Sequence, residues 1–152
     1  NGAAANLSPL GVNDTALYVQ ALGGVVRDLR PQNGGLGSDL SVTASHLVSG
    51  YTILDWCYQQ TPDSVIWMVR SDGVLLSLTY QRETSVYGWA HHDTDGTVES
   101  VCSVTEGTED AVYLMVRRTI NGSAVRYFER FADRTESALA SLVCMDSAVV
   151  AT

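Results

Sequence analysis

The sequence contains no lysine: its nine basic residues are all arginine, set against seventeen acids for a net charge of −8. Such a chain repels a phosphate backbone instead of neutralising it, so nucleic-acid binding is disfavoured. Cysteine is scarce too. Cys57, Cys102 and Cys144 are odd in number and lack C-x-x-C spacing, which argues against a disulfide framework and against a zinc site. Apolar runs such as Val74-Leu75-Leu76 fall far below the roughly 18 residues of a membrane span, and no basic stretch leads into an apolar one at the N-terminus. G-x-S-x-G, H-E-x-x-H, P-loop and dinucleotide patterns are missing, so no short motif for catalysis or cofactor binding is in view.

What is present is ordinary globular composition. With 45% hydrophobic and 17% charged residues over 152 positions, the chain is long enough for one domain with its own core. It opens on Asn1 instead of Met and reads as a piece of a longer polypeptide. The N-x-S/T triplets at Asn6, Asn13 and Asn121 would matter only in a secreted eukaryotic protein, which nothing else here suggests.

One passage is said three times. VIWMVRSDGVLLSLTY at 65–80, VYLMVRRTINGSAVRYFER at 112–130 and, more faintly, LYVQALGGVVRDL at 17–29 each read as two strands around a tight turn. Aligned on Tyr18, Trp67 and Tyr113, they lie 49 and 46 residues apart, with Val19-Gln20, Val69-Arg70 and Val116-Arg117 behind the aromatic. Upstream, Cys57 and Cys102 sit in matching apolar runs 45 residues apart. A period of about 45 residues built from β-hairpins is the spacing of propeller blades, whose units are four antiparallel strands.

The expected architecture is therefore mainly β, a single unit over 1–152 with two and a fraction antiparallel four-stranded blades. A partial blade covers 13–30, with strands at 15–20 and 24–29. The next covers 53–90, with strands at 53–58, 64–70, 74–80 and 86–90. The last covers 97–131, with strands at 97–104, 111–118 and 123–131 and an outer strand from 147–150. Asp72-Gly73 and Asn121-Gly122 supply the positive φ of tight hairpin turns, and Thr94-Asp95-Gly96 separates the two fuller units. Two short helical patches are expected: Leu40, Ala44 and Leu47 behind Asp39, and 133–143 with Leu139 and Leu142 on one side. Between the first hairpin and the first patch, Asn33-Gly34-Gly35-Leu36-Gly37 is the best candidate for a mobile loop. Closed propellers need about four blades, so the units require further sheets to cover their edges.

Candidate chemistry is thin. In His91-His92-Asp93-Thr94-Asp95-Gly96 the adjacent histidines point to opposite faces of a strand, and the calcium-loop Glu is missing, so a polar turn is favoured over a metal site. Asp55 and Glu99 hold near-equivalent places and would suit a glycosidase pair if they faced each other, but hydrogen bonding to turns is the plainer reading. His46 stands alone. Arg117, Arg118, Arg126 and Arg130 cluster on one hairpin, where they would hold a partner's carboxylates or pair with Glu129 and other local acids. Trp56, Trp67 and Trp89 each fall in an expected strand and read as packing residues, as do Cys57 and Cys102. No catalytic residue, metal ligand or cofactor follows from these positions.

Taken in order, Tyr58-Gln59-Gln60, Pro62-Asp63-Ser64, Trp67, Val69-Arg70, Asp72-Gly73, Leu75-Leu76, Leu78-Thr79-Tyr80, Arg82-Glu83 and Gly88-Trp89 form a recognisable series. With His92, Thr94-Asp95-Gly96, Val98-Glu99-Ser100-Val101, Arg118-Thr119-Ile120-Asn121-Gly122 and Val125 to Arg130, the chain resembles the central region of a family of phage and prophage tail proteins over residues 13–149. That family is associated with the β-propeller tail nozzle or hub of short-tailed phages. The resemblance implies a non-enzymatic virion part, made in the host bacterial cytoplasm. It would form a ring with copies of itself and with other tail or adaptor proteins, while DNA passes through without specific binding. Departures from the family pattern are the cysteines and the short run at 105–110, where relatives carry a longer Gly-rich loop. The alternative class is a glycan-binding or glycan-cleaving propeller of a virion-associated protein, which would need an exposed aromatic platform beside an acid pair. A scaffold propeller that recruits cellular partners would need a ring closed within one chain.

Overall fold

The computed structural model describes residues 2–29, 37–132 and 146–148, and within them the chain forms three antiparallel meanders in sequence order. The first joins β1 (Leu10–Val12), β2 (Thr15–Val19) and β3 (Val26–Leu29). The second joins β4 (Ile53–Gln59), β5 (Val65–Arg70), β6 (Leu75–Gln81) and β7 (Val86–His92). The third joins β8 (Thr97–Glu106), β9 (Glu109–Ile120) and β10 (Ser123–Arg130). In each sheet, neighbours in sequence are neighbours in the ladder.

The four-stranded sheet lies between the other two. In β5 the run Val65-Ile66-Trp67-Met68-Val69 is buried throughout because its two faces serve different cores. Ile66 and Met68, with Trp56, Leu76, Leu78 and Tyr80, pack on Val12, Leu17, Val19 and Val26 of the first sheet. Val65, Trp67, Val69 and Leu75 pack on Val98, Val101, Val112, Leu114 and Val116 of the third. A strand covered on both sides reads as a continuous apolar run, whereas β9, covered on one, alternates buried and more exposed positions. The first strands lie alongside one another, β1 beside β4 and β4 beside β8, and burial falls away outward to β7 and β10.

The turns follow their residues. Gly73 at φ +87° closes β5 to β6, and Asn121 and Gly122, both at positive φ, close β9 to β10 as a two-residue hairpin. The first sheet holds one strand more than its sequence suggests. β1 is only three residues long and turns at once through Asn13, at φ 53°, into β2, too short for an alternation to be read.

The first helical patch is a 3-10 turn, Val42–Ala44, running into one α-turn, α1 (Ser45–Val48). Asp39 Oδ1 accepts the Ser41 N–H at 2.8 Å, and Leu40, Ala44 and Val48 are buried. The tighter winding of the first turn brings Val48 inward where an α-helical spacing placed Leu47. The expected helix at 133–143, the loop residues 33–36, Cys144 and positions 149–150 of the outer strand lie outside the described residues.

The strand register revises the repeat by one residue. Cys57 pairs with Trp67 and Cys102 with Tyr113, so these positions correspond, but Ile53 pairs with Arg70 and Val98 with Val116. Arg70 therefore matches Val116, not Arg117. The two first strands also share a β-bulge at the same place, between Ile53 and Asp55 and between Val98 and Ser100, so the correspondence holds on both sides of it, and matching Val69-Arg70 to Val116-Arg117 slips the second strand by one residue. Tyr18, Trp67 and Tyr113 all lie on the second strand of their sheets. Their directions differ, however: Leu17 and Val19 face the four-stranded sheet, so Tyr18 points to the opposite side, while Trp67 and Tyr113 both point away from the preceding sheet.

Candidate functional site

The seam between the second and third sheets is tied by hydrogen bonds at both ends and in the middle. At one end Val98 N–H donates to Gly73 O at 2.9 Å. In the middle Asp55, on the bulge, accepts Val101 N–H at 3.0 Å and its neighbour Trp56 N–H at 2.9 Å. At the other end Asp110 accepts the Gln60 and Thr61 N–H groups at 2.8 and 3.0 Å and the Thr105 hydroxyl at 2.7 Å. The Thr105 hydroxyl, followed by those backbone donors, holds the Asp110 carboxyl below its ordinary value. Gln59 completes the knot, accepting from Trp67 Nε1 at 3.0 Å and donating to Asp110 O at 2.7 Å. A cleft of about 340 Å³ opens beside it, lined by Gln59, Trp67, Glu106, Asp110, Arg130 and Phe131.

The four arginines singled out on the hairpin separate into two faces. Arg117 and Arg126 lie directly opposite each other in the β9–β10 ladder and share Glu99, Arg126 Nε at 2.6 Å and Arg117 Nε at 3.6 Å. Arg126 above all keeps the Glu99 carboxyl below its usual range. Arg130 meets Glu106 at 3.2 Å at the far end of the same face, and Glu106, lowered first by the Tyr113 hydroxyl and then by Arg130, accepts from both. Arg118 points to the other face and is buried. It grips Glu129 through two bonds of 2.6 and 2.9 Å, reaches Asp95 O at 2.8 Å and Asp146 at 3.3 Å, and its pKa is raised chiefly by Glu129.

The remaining candidates resolve into local partnerships. His91 faces Asp93 at 3.4 Å, while His92, on the other side of β7, bonds Ser77 Oγ at 2.8 Å and sits against Trp67 and Phe131. Among the described residues no three His, Cys, Asp or Glu side chains come together to hold a metal ion. Asp55 and Glu99 are each engaged as above, one with backbone N–H groups and one with arginines. All three indoles donate inward: Trp56 to Ser8 O at 2.9 Å, Trp67 to Gln59 and Trp89 to Leu40 O at 3.0 Å. Cys57 lies inside the seam, where burial first, then Cys102 and Asp55, push its thiol up to about 12, whereas Cys102 is exposed.

The far side of the third sheet combines these pieces. Phe128, 66% exposed, stacks on Tyr113 with ring centres 5.0 Å apart and planes 6° from parallel. Met115, Cys102 and the 47% exposed Val104 extend the apolar strip, with the Glu99 and Glu106 ion pairs at its two ends. Sequence reasoning reached the arginines but missed this strip and Asp110. The strip was legible as the every-second-residue set Cys102–Val104 and Tyr113–Met115, whereas Asp110 stands in a turn with no pattern to mark it. No protein-family model matches the chain, and no curated protein matches it.

Proposed function

We propose that this chain is a non-enzymatic part of a phage tail, a set of propeller-like blades that acts through protein–protein contacts in a ring around the path of DNA ejection. The observation that carries this reading is the repetition of one unit: consecutive antiparallel meanders, stacked face to face with their first strands side by side and the same bulge in two of them. Blades of a propeller are built and stacked in this manner. The resemblance of residues 13–149 to tail proteins supplies the biological setting. The side-chain chemistry supports a structural role, since the acids of the seam bond backbone N–H groups across it and the hairpin arginines pair with acids of their own sheet or its flanking turns. A net charge of −8 with no lysine suits a wall past which a polyanion slides, because each neutralising contact would have to be broken in turn.

The glycan-handling alternative is not favoured. It requires an exposed aromatic platform beside a facing carboxylate pair; here the indoles are turned inward, the exposed Phe128–Tyr113 stack is flanked by Glu99 and Glu106 already paired with arginines, and Asp55 and Glu99 serve different partners. Light scattering and electron microscopy of the longest natural form of the protein test the proposal. The expected outcome is a ring with a central channel. A stable monomer at every concentration, without a partner, overturns it, while a ring whose lumen is lined by arginine with the acids outside overturns the sliding-wall reading of the charge.

A further inference from the structure

We infer that the open side of the third sheet is a docking surface for the first sheet of a second copy of this chain, so that copies join head to tail. The inference deepens the ring reading above and rests on it. Its grounds lie in how the chain already packs against itself.

Each sheet has a near face, toward the preceding sheet, and a far face, toward the following one. On the second sheet the far face presents Trp67 and Val69 from β5 and Leu75 from β6, and the third sheet covers them to 4%, 0% and 2% exposure. The register identifies their counterparts on the third sheet. Trp67 pairs with Cys57 as Tyr113 does with Cys102, and Val69 pairs with Leu75 as Met115 does with Phe128. The far face of the third sheet thus repeats an interface that is filled one sheet earlier, with an aromatic at the place of Trp67 and Phe128 at the place of Leu75. Phe128, however, is 66% exposed, and Val104 on the same face is 47% exposed. An apolar centre closed at each end by ion pairs has the anatomy of a protein–protein contact.

The surface that fits is a near face. Within one chain two near faces are occupied, those of the second and third sheets. The near face of the first sheet, made by Ala16 and Tyr18 of β2 opposite Leu29 and Arg27 of β3, is not covered by either of the other sheets, and Leu29 on it is 47% exposed. Far face of the third sheet against near face of the first is a heterologous pairing, and repeating it closes a ring or extends a filament. The same stacking that relates the sheets inside the chain would then relate one chain to the next.

The test uses the full 152-residue chain and two charge insertions, one per face: Phe128→Glu on the far face and Leu29→Glu on the near face, with Val104→Glu as an independent far-face variant. Each replaces an exposed side chain, so circular dichroism is expected to match wild type. Light scattering over a concentration series is expected to show wild type rising above its monomer mass of 16.4 kDa, and each variant holding at that mass. An equimolar mixture of Phe128→Glu and Leu29→Glu is expected to form a dimer and stop there, since each retains the one face the other lacks. Multimers that survive Phe128→Glu and Val104→Glu overturn this surface and leave the ring reading standing. A mixture that stays monomeric overturns the head-to-tail pairing. Wild type that is monomeric throughout overturns this surface, whereas the ring reading falls only if the longest natural form is monomeric as well.

Discussion

The second and third sheets have the same build and differ in cover. One is packed on both faces and has four strands, while the other is packed on one face and shows three among the described residues. The difference teaches that equivalent positions in a repeat need not carry equivalent weight. Trp67 and Tyr113 share a topological place, yet one is 4% exposed in a seam and the other lies on an open side.

The comparison is sharpest at the core. Trp67→Ala is expected to lower the unfolding free energy by about 4 kcal/mol, the usual cost of emptying a buried aromatic site. Phe128→Ala, on the open face, is expected to cost about 1 kcal/mol or less. Chemical denaturation measures both, and equal losses would break the contrast.

Next come the two hairpin glycines. A Cβ on Gly73, at φ +87°, would meet Thr97 Cγ2 at 2.1 Å, and the Gly73 carbonyl also receives Val98 N–H. At Gly122, φ +78°, nothing lies within 4 Å. Gly122→Ala pays only the backbone strain of about 1 kcal/mol, whereas Gly73→Ala is expected to cost about 3 kcal/mol by displacing the third sheet from the second.

Asp110→Ala is expected to cost about 1 kcal/mol, since it removes the hydrogen bonds that tie the exposed end of the seam. Its pH signature follows from sign. Because the folded carboxyl titrates below its ordinary 3.8, its contribution is complete above that value and is lost as the pH falls through the folded one. Asp110→Asn is expected to flatten this acid limb, measured as the midpoint of denaturation against pH, and an unchanged limb would show that the seam does not depend on the charge.

The smallest effect is chemical and needs no change in stability. Iodoacetamide at pH 8 is expected to modify the exposed Cys102 well before the half-buried Cys57, whose thiol is pushed up to about 12. Peptide mass spectrometry reads the order. Equal rates would mean that the seam opens readily.

Much of this organisation could be read in advance because β-branched and aromatic runs bounded by Asp-Gly, Asn-Gly and Asp-Gly-Thr carry period and turn in the same residues. All seven strands of 53–131 were legible for that reason, with ends within about two residues. The direction of Tyr18 was not, because a shift of one residue turns a strand over without altering its composition. The split of the arginines was half legible. Arg117 and Arg118 had to face opposite ways as neighbours on a strand, but that Arg118 would be the buried one depended on Glu129, Asp95 and Asp146 converging from three segments. Asp110 was invisible because its partners, Gln60 and Thr61, are about fifty residues away.

Leu54 and Glu99 each add one residue to a first strand, three positions before Cys57 and Cys102 respectively. A residue added once bends a ribbon locally, but one added at the same step of successive ribbons makes the bends accumulate in one sense. The sweep from one layer to the next is thus written in two positions outside either core, and deleting Leu54 alone is the most economical way to straighten one layer without touching a side-chain ion pair.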